Sequence, residues 1–285
     1  MIFDWELIRS GLTAETIGYG VMVPALWVLG LTLLVDRGFG RWREHGGLAT
    51  AVALAGGVFS GYFALGLGPL WVRELGNKWL PHLTVLAIPA GWYAGRRMDA
   101  ASVGGVMAIT AVAAAAPLES YSLVMQLFWA AVLGYASWVS AMSLLYARLP
   151  SAMRALAMTM TATTASLILF AAGLSRLMQI AGLLVSISMG AVVAFLIVGD
   201  RENRLVRGLV PGFSVLLTGL MFCGYLGQGA QLPPSCYALV ALAPTALLVS
   251  RLPIRAARWG HGAIPAMLLL VGLLSAALTR VALLS

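Results

Sequence analysis

The sequence predicts an all-α, polytopic integral membrane protein of about ten transmembrane helices. Apolar residues make up 61% of the 285 residues and charged residues only 10%, whereas an ordinary soluble domain is about 45–50% apolar and about 25% charged. The apolar residues fall into blocks long enough to cross a bilayer, and basic residues alternate between the connections of those blocks. This composition excludes a soluble enzyme, a disordered tail and a disulfide-stapled secreted domain.

Ten apolar blocks define the predicted spans. In the hydrocarbon core every backbone N–H and C=O needs a partner within the protein, so each span is expected to be a helix of about 20 residues. The third and ninth blocks are short. Because every connection is short, residues 1–285 are expected to form a single transmembrane domain without a soluble domain. The blocks lie near residues 17–35, 47–68, 80–95, 100–117, 121–146, 152–173, 177–198, 208–226, 236–251 and 261–279.

Five prolines lie inside or near the start of predicted spans, namely Pro24, Pro89, Pro211, Pro244 and Pro265, and two of them lie near mid-membrane. Pro89 lies in the third block and Pro244 in the ninth. A proline inside a helix removes one backbone hydrogen bond and bends the helix. Each proline is consistent either with a local kink that neighbouring helices absorb or with a cavity or hinge near the middle of the membrane.

Basic residues predict the orientation of the chain. One set of connections carries far more of them than the other, and the basic side of a membrane protein is expected to be cytoplasmic. Both termini are then outside, and the protein is expected in a bacterial cytoplasmic (inner) membrane. The excess of arginine in these connections therefore explains the net charge of +8 without a nucleic-acid partner. The larger set is Arg37, Arg41, Arg43, Arg96, Arg97, Arg148, Arg154, Arg201, Arg204, Arg207, Arg251, Arg255 and Arg258; the smaller is Arg9, Arg73, Lys78, Arg176 and Arg280.

An inverted repeat of five plus five spans is suggested by the helix count, with halves at residues 1–147 and 148–285. Small residues recur every fourth position in the second and seventh spans, which correspond in the two halves. Such stripes let helix backbones approach closely, and an odd number of spans per half inverts the second half. Gly and Ala are abundant in this chain, so chance recurrence competes with the repeat. The predicted helix-packing residues are Ala53, Gly57, Gly61, Gly182, Ser186 and Gly190.

Hydroxyl groups supply the polar character inside the predicted spans. Thr159, Thr163 and Ser166 occupy one face of the sixth span, and Ser186 follows in the seventh. With Glu119 at the end of the fourth span, they are the candidates for lining a ligand path. The alternative is structural, because Ser and Thr hydroxyls also bond the carbonyl four residues earlier or a neighbouring helix.

Ionisable residues are missing from the middle of every predicted span. An intramembrane charge is the usual pointer to function in a membrane protein, so the sequence predicts no catalytic residue. His45, His82 and His261 show no metal-ligand spacing, and we expect no metal site and no cofactor. Cys223 and Cys236 flank one predicted outer connection and are consistent with a disulfide or with two buried thiols.

Three functional hypotheses follow from these patterns. The first is a small multi-pass transporter or permease for an unidentified small solute. The second is a non-catalytic structural or assembly subunit of a larger membrane complex, with partner subunits or a second copy of the chain besides the lipid bilayer. The third is a lipid-modifying or lipid-binding membrane enzyme, which would use polar groups such as Arg96, Arg97 and Asp99 at the inner face. Activity as an enzyme is the least favoured of the three.

Overall fold

Every element of the described chain is helical. The computed structural model describes residues 18–38, 46–67, 80–96, 103–107, 122–199, 204–227, 232–251 and 263–283. A π-helical turn, Gly18–Met22, leads into the first α-helix, and residues 103–107 form a short helical segment. The α-helices are α1 Val23–Gly38, α2 Gly46–Ala64, α3 Leu80–Leu86, α4 Ile88–Arg96, α5 Leu123–Tyr146, α6 Ser151–Ala171, α7 Ser175–Val198, α8 Arg204–Gly227, α9 Pro234–Leu242 and α10 Ala263–Ala282; a 3₁₀ helix, Ala243–Arg251, continues α9.

Seven helices among the described residues are long and apolar enough to cross a membrane. They are α2, α5, α6, α7, α8, α10 and the continuous segment formed by α9 and the 3₁₀ helix. This confirms the all-helical membrane character that the sequence predicts. The first predicted span is a shorter apolar stretch, the third is divided into α3 and α4, and the fourth lies largely outside the described residues. The count of ten spans and the repeat remain predictions.

Helix α8 lies at the centre of the described bundle. Every residue from Gly208 to Gly224 is buried, and α8 packs against α2, α4, α5, α6 and α9. In α10, by contrast, a single stripe running from Ala266 to Val281 is buried, so this helix lies at the periphery. A helix apolar on all sides is expected in the middle of a membrane bundle, and α8 is the one that fills this position.

A glycine junction fixes α8 against α2 and α4. A Cβ atom at Gly47 would lie 2.7 Å from the Cα of Gly95, and one at Gly91 would lie 2.5 Å from the carbonyl oxygen of Gly208. A Cβ at Gly208 would overlap the carbonyl oxygen of Gly47 and the hydroxyl of Thr50. The backbones of three helices therefore touch directly, which is the closest approach that small residues permit in a membrane protein.

Two membrane segments are interrupted, and both interruptions occur at the prolines noted in the sequence. Ala87 separates α3 from α4, with Pro89 in the first turn of α4; the α-helical turns of α9 become 3₁₀ at Ala243, immediately before Pro244. Proline has no N–H to continue the α-helical ladder. The α3–α4 pair packs against α8, and the 3₁₀ helix packs against α5.

Six of the eight described arginine side chains lie at one end of the bundle. This end holds the end of α5 and the start of α8, because Trp129 near the start of α5 contacts Phe222 near the end of α8, and the two helices are therefore antiparallel. The six are Arg96, Arg148, Arg154, Arg204, Arg207 and Arg251, and the other two are Arg176 and Arg280. The structure thus groups the connections as the charge pattern predicts, while which end faces the cytoplasm remains a prediction.

Candidate functional site

The interface between α5 and α8 is the first part of the candidate site. Near the arginine-poor end, the indole ring of Trp129 lies 5.1 Å from the ring of Phe222 and 5.9 Å from that of Tyr225, measured between ring centroids. These contacts fix the register of the two antiparallel helices. They also identify which face of α5 is turned toward which face of α8.

Helix periodicity, counted from the aromatic contact, places Ser140 and Ser214 on these facing surfaces at similar depth. Ser140 follows Trp129 by 11 residues, and Ser214 precedes Tyr225 by 11 residues. Eleven residues are close to three helical turns, or about 16 Å, so each serine returns to the face of its aromatic neighbour at one common level. Both serines are fully buried, with 0% of their surface exposed. The interior of the membrane bundle therefore carries two hydroxyls on facing helices.

Neither of these hydroxyls has a hydrogen-bond partner. Other buried hydroxyls in the bundle donate to the carbonyl four residues earlier, as Thr161 does to Ala157 (2.8 Å) and Ser188 to Leu184 (2.7 Å). An unmet buried polar group costs about 1–3 kcal/mol. The hydroxyls of Ser140 and Ser214 differ in this from those of Thr161 and Ser188, and each can donate to or accept from a third group.

Aromatic side chains close this interface at the arginine-poor end. The ring of Tyr225 lies 6.4 Å from that of Tyr237 on α9, which extends the cluster of Trp129 and Phe222. Tyr237 is 3% exposed, and its hydroxyl also lacks a hydrogen-bond partner. Buried tyrosine hydroxyls usually find a partner, so this phenol is a further unpartnered polar group where α9 meets the end of α8.

Arginines close the opposite end of α5. Arg154 is buried, and its guanidinium donates to the carbonyl oxygens of Leu149 (3.0 Å) and Leu145 (3.4 Å). Arg251 donates to the carbonyl oxygen of Tyr146 (2.7 Å) and lies 4.6 Å from the centre of the Tyr146 ring. These cations satisfy carbonyls at the helix C-terminus and complement its dipole. These contacts account for Arg154 and Arg251 as structural residues at the end of α5.

The hydroxyls predicted from the sixth span do not share one surface. Thr159 is buried and bonded within its own helix, whereas Thr163 is exposed and donates to the carbonyl oxygen of Thr159 (2.8 Å). Ser166 donates across to the carbonyl oxygen of Met178 on α7 (3.3 Å). Glu119 lies outside the described residues. A solute contact at any of these positions stays a prediction.

The small-residue stripe of α2 faces α1 and α7. A Cβ at Gly57 would lie 3.1 Å from the Ile187 side chain of α7, and one at Gly61 would lie 3.0 Å from the ring of Pro24 on α1. Ala53, one turn earlier, is fully buried. Residues of this stripe therefore lie where three helices come together.

The stripe of α7 is divided between packed and open positions. A Cβ at Gly190 would lie 2.6 Å from the carbonyl oxygen of Ala25, and Ser186 donates to the carbonyl oxygens of Gly182 (3.0 Å) and Gly20 (3.3 Å). Gly182 itself has no atom within 4 Å of a Cβ position. Ser186 and Gly190 thus meet the start of the first apolar segment, whereas Gly182 leaves open space.

Sequence reasoning missed Ser140 and Ser214. A signal was present, because Ser137, Ser140 and Ser143 recur every third residue in the fifth span and Ser214 precedes Thr218 by one turn in the eighth. The sixth span carries more hydroxyl side chains than the fifth, so the sequence pattern favours the sixth span as the lining of a ligand path. The spacing alone does not reveal which hydroxyls have a hydrogen-bond partner, and Ser140 and Ser214 differ from Thr159, Thr163 and Ser166 in having none.

Two further features of the described residues are their possible metal ligands and their two cysteines. No group of three His, Cys, Asp or Glu residues that could hold a metal ion occurs among the residues that the structure describes. Cys223 and Cys236, whose state the sequence leaves open, are both free and buried. They behave as small apolar side chains beside the aromatic cluster.

Comparison with known proteins does not identify a function. No protein-family model matches the chain, and neither the curated protein sequences nor the solved structures contain a match to it.

Proposed function

We propose that the protein is a small multi-pass permease that carries a small polar solute between α5, α8 and α9. The observation that carries this proposal is the pair of fully buried, unpartnered hydroxyls of Ser140 and Ser214 at one level of the α5–α8 interface. Hydroxyls can donate to or accept hydrogen bonds from a solute. Both serines are fully buried, so a solute would reach them only when α5, α8 and α9 move apart.

The interrupted helices support the same proposal. Transporters commonly form their binding sites from discontinuous helices near the middle of the membrane, and 3₁₀ segments within helices often mark hinges. The α3–α4 pair packs against α8, and a Cβ at Gly212 would lie 3.9 Å from the Cβ of Ala87 at the interruption. The 3₁₀ helix packs against α5. Each helix that bears one of the serines therefore has an interrupted segment beside it.

The finer architecture belongs to this proposal as well. A permease of ten spans arranged as two inverted halves, 1–147 and 148–285, would place both termini outside a bacterial cytoplasmic membrane. The grouping of arginines at one end supports the alternation of the connections on which this orientation depends. Thr163 is left out of the proposed path because its side chain is exposed.

Cysteine accessibility tests the path without knowledge of the solute. In a background with Cys223→Ala and Cys236→Ala, Ser140→Cys and Ser214→Cys are reconstituted in liposomes and treated with a small cationic methanethiosulfonate reagent. If the serines line a path that opens to water, both cysteines should react at least about tenfold faster than a buried cysteine outside the path, because only the hydrated thiolate is the nucleophile.

Ser188→Cys is the matched control. Ser188 is 2% exposed and its hydroxyl is bonded within α7, so its cysteine should stay unreactive. Equal rates at positions 140, 214 and 188 would contradict the permease. A second readout is thermal stability: Ser140→Ala and Ser214→Ala should leave the melting temperature unchanged or slightly raised, because each removes an unmet polar group.

The alternative function is a non-catalytic assembly subunit of a membrane complex. One observation favours it: the start of α5 exposes large apolar side chains, with Leu123 70%, Val124 78% and Leu127 59% exposed. A partner helix could cover this surface as well as lipid does. Two results together would favour this function over the permease. Cysteines at positions 140 and 214 would be unreactive, and Ser140→Ala would lower the melting temperature.

A further inference from the structure

A groove opens on the side of the bundle between α10 and the segment formed by α9 and the 3₁₀ helix. Its volume is about 420 Å³, within the range of about 300–1,000 Å³ for small-molecule sites. The walls are mostly apolar, and polar side chains lie toward the ends. The residues that matter here are Ser235, Leu239, Leu242, Thr245, Leu273 and Arg280.

The groove has a cationic mouth and an apolar body. Arg280, near the end of α10, donates to the hydroxyl of Ser235 at the start of α9 (2.5 Å), so this mouth lies at the arginine-poor end of the bundle. Leu273 is seven residues before Arg280, and Thr245 is ten residues after Ser235. The walls therefore extend roughly 10–15 Å from the mouth toward the middle of the membrane.

The charge at the mouth has no acidic partner among the described residues. Arg280 is exposed, and its hydrogen-bond partner is a neutral hydroxyl. The start of α9 beside it has no side chain capping its free N–H groups, which adds positive potential at the same point. A cation at the membrane surface beside an apolar groove attracts a ligand that carries a negative charge next to a hydrocarbon chain.

We propose that this groove binds an anionic phospholipid, with the phosphate at Arg280 and one acyl chain along Leu239, Leu242 and Leu273. Arginine matches phosphate in geometry and charge. The groove opens sideways, as a chain arriving from the bilayer requires, and Leu242 at its wall is 39% exposed. This site is separate from the α5–α8 interface and does not depend on the permease proposal.

Native mass spectrometry of the full chain in detergent tests the site. The protein is titrated with phosphatidylglycerol and with phosphatidylcholine of identical acyl chains, and the bound fractions are compared. Phosphatidylglycerol should bind more tightly than phosphatidylcholine, and Arg280→Gln should weaken its binding about fivefold, the equivalent of the ~1 kcal/mol that a basic residue contributes at an anionic membrane surface. The same variant should weaken phosphatidylcholine binding less, because the choline ammonium offsets the negative charge of its phosphate.

Two further variants separate the headgroup from the chain. Leu242→Trp fills the groove and should weaken the binding of both lipids; Ala238→Phe, at an exposed position on the same wall, does so if Leu242→Trp fails to fold. Glycerophosphoglycerol, which lacks acyl chains, should not displace the lipid. Arg176→Gln removes the other described, exposed arginine at this end of the bundle and should have no effect. Four outcomes would each overturn the proposal. The first two are equal binding of the two lipids to the wild type and equal effects of Arg280→Gln and Arg176→Gln. The others are unchanged binding in the groove-filling variants and displacement of the lipid by the soluble headgroup.

Discussion

The two faces of α8 differ in how closely they pack against their neighbours and in whether their polar groups are hydrogen-bonded. On the face toward α2 and α4, the backbones of Gly208, Gly91 and Gly47 lie in direct contact with neighbouring helices. On the face toward α5, Ser214 is completely buried and its hydroxyl bonds nothing. The first face leaves no room for a methyl group, and the second leaves a polar group unsatisfied.

This difference separates what stabilises the bundle from what the bundle can do. Membrane helices associate through close van der Waals packing and interhelical hydrogen bonds, and the glycine face of α8 supplies both, because Thr50 of α2 donates to the carbonyl oxygen of Leu205 (2.7 Å). Buried polar groups that lack a hydrogen-bond partner occur mainly at functional or strained sites. The interface of α8 with α5 holds two such groups, the hydroxyls of Ser140 and Ser214.

The largest effect is expected from a methyl group on the glycine face. Gly208→Ala would place a Cβ against the carbonyl oxygen of Gly47 and the hydroxyl of Thr50. Backbone atoms cannot move aside as a flexible side chain can, so the loss of stability should reach about 3 kcal/mol or more. Size-exclusion chromatography of a fluorescent fusion and the melting temperature in detergent measure the loss of folded protein.

Gly272→Ala is the control for that substitution. Gly272 lies in α10, where a Cβ would have no atom within 4 Å, so the change should stabilise the helix by up to about 1 kcal/mol through the higher helix propensity of alanine. Similar melting temperatures for the two variants would show that the glycine junction does not determine the position of α8.

A smaller effect is expected from the interhelical hydrogen bond on the same face. Thr50→Val nearly preserves the shape of the side chain but removes the donor to Leu205. The cost should be about 0.6 kcal/mol and at most about 1.7 kcal/mol, the range measured for hydrogen bonds between membrane helices. Denaturation in mixed micelles, followed by circular dichroism, resolves a difference of this size.

Thr161→Val provides the comparison within one helix. Thr161 is as deeply buried as Thr50, but its hydroxyl donates to Ala157 of its own helix (2.8 Å). That carbonyl keeps its backbone partner when the hydroxyl is lost, so the stability should change less than in Thr50→Val. A larger loss at Thr161 would mean that bonds within a helix stabilise this bundle more than bonds between helices.

The sequence predicts the fold class and the grouping of the connections because both depend on composition and charge, which need no tertiary contacts. Pro89 and Pro244, which lack a backbone donor, mark the two interruptions, whereas Pro211 lies inside the continuous helix α8, so proline alone does not predict where a span is broken. The sequence does not distinguish Ser140 from Thr163. Both are hydroxyls at helical spacing within apolar spans, and only the tertiary packing of α5 and of α6 shows that Ser140 is buried without a partner and that Thr163 is exposed.

The smallest effect is expected at Thr163, and it completes the contrast between the two sets of hydroxyls. Its side chain is exposed on α6 and its hydroxyl donates to the carbonyl oxygen of Thr159, so Thr163→Val removes a bond that the helix does not need. The melting temperature should change by less than the equivalent of about 0.3 kcal/mol, as for other surface substitutions away from special features. The labelling rate of Ser140→Cys, measured in the Thr163→Val background, should also stay the same. A slower rate would place Thr163 on the solute path, as the spacing of Thr159, Thr163 and Ser166 predicts, and would shift the path from the α5 face of α8 toward α6.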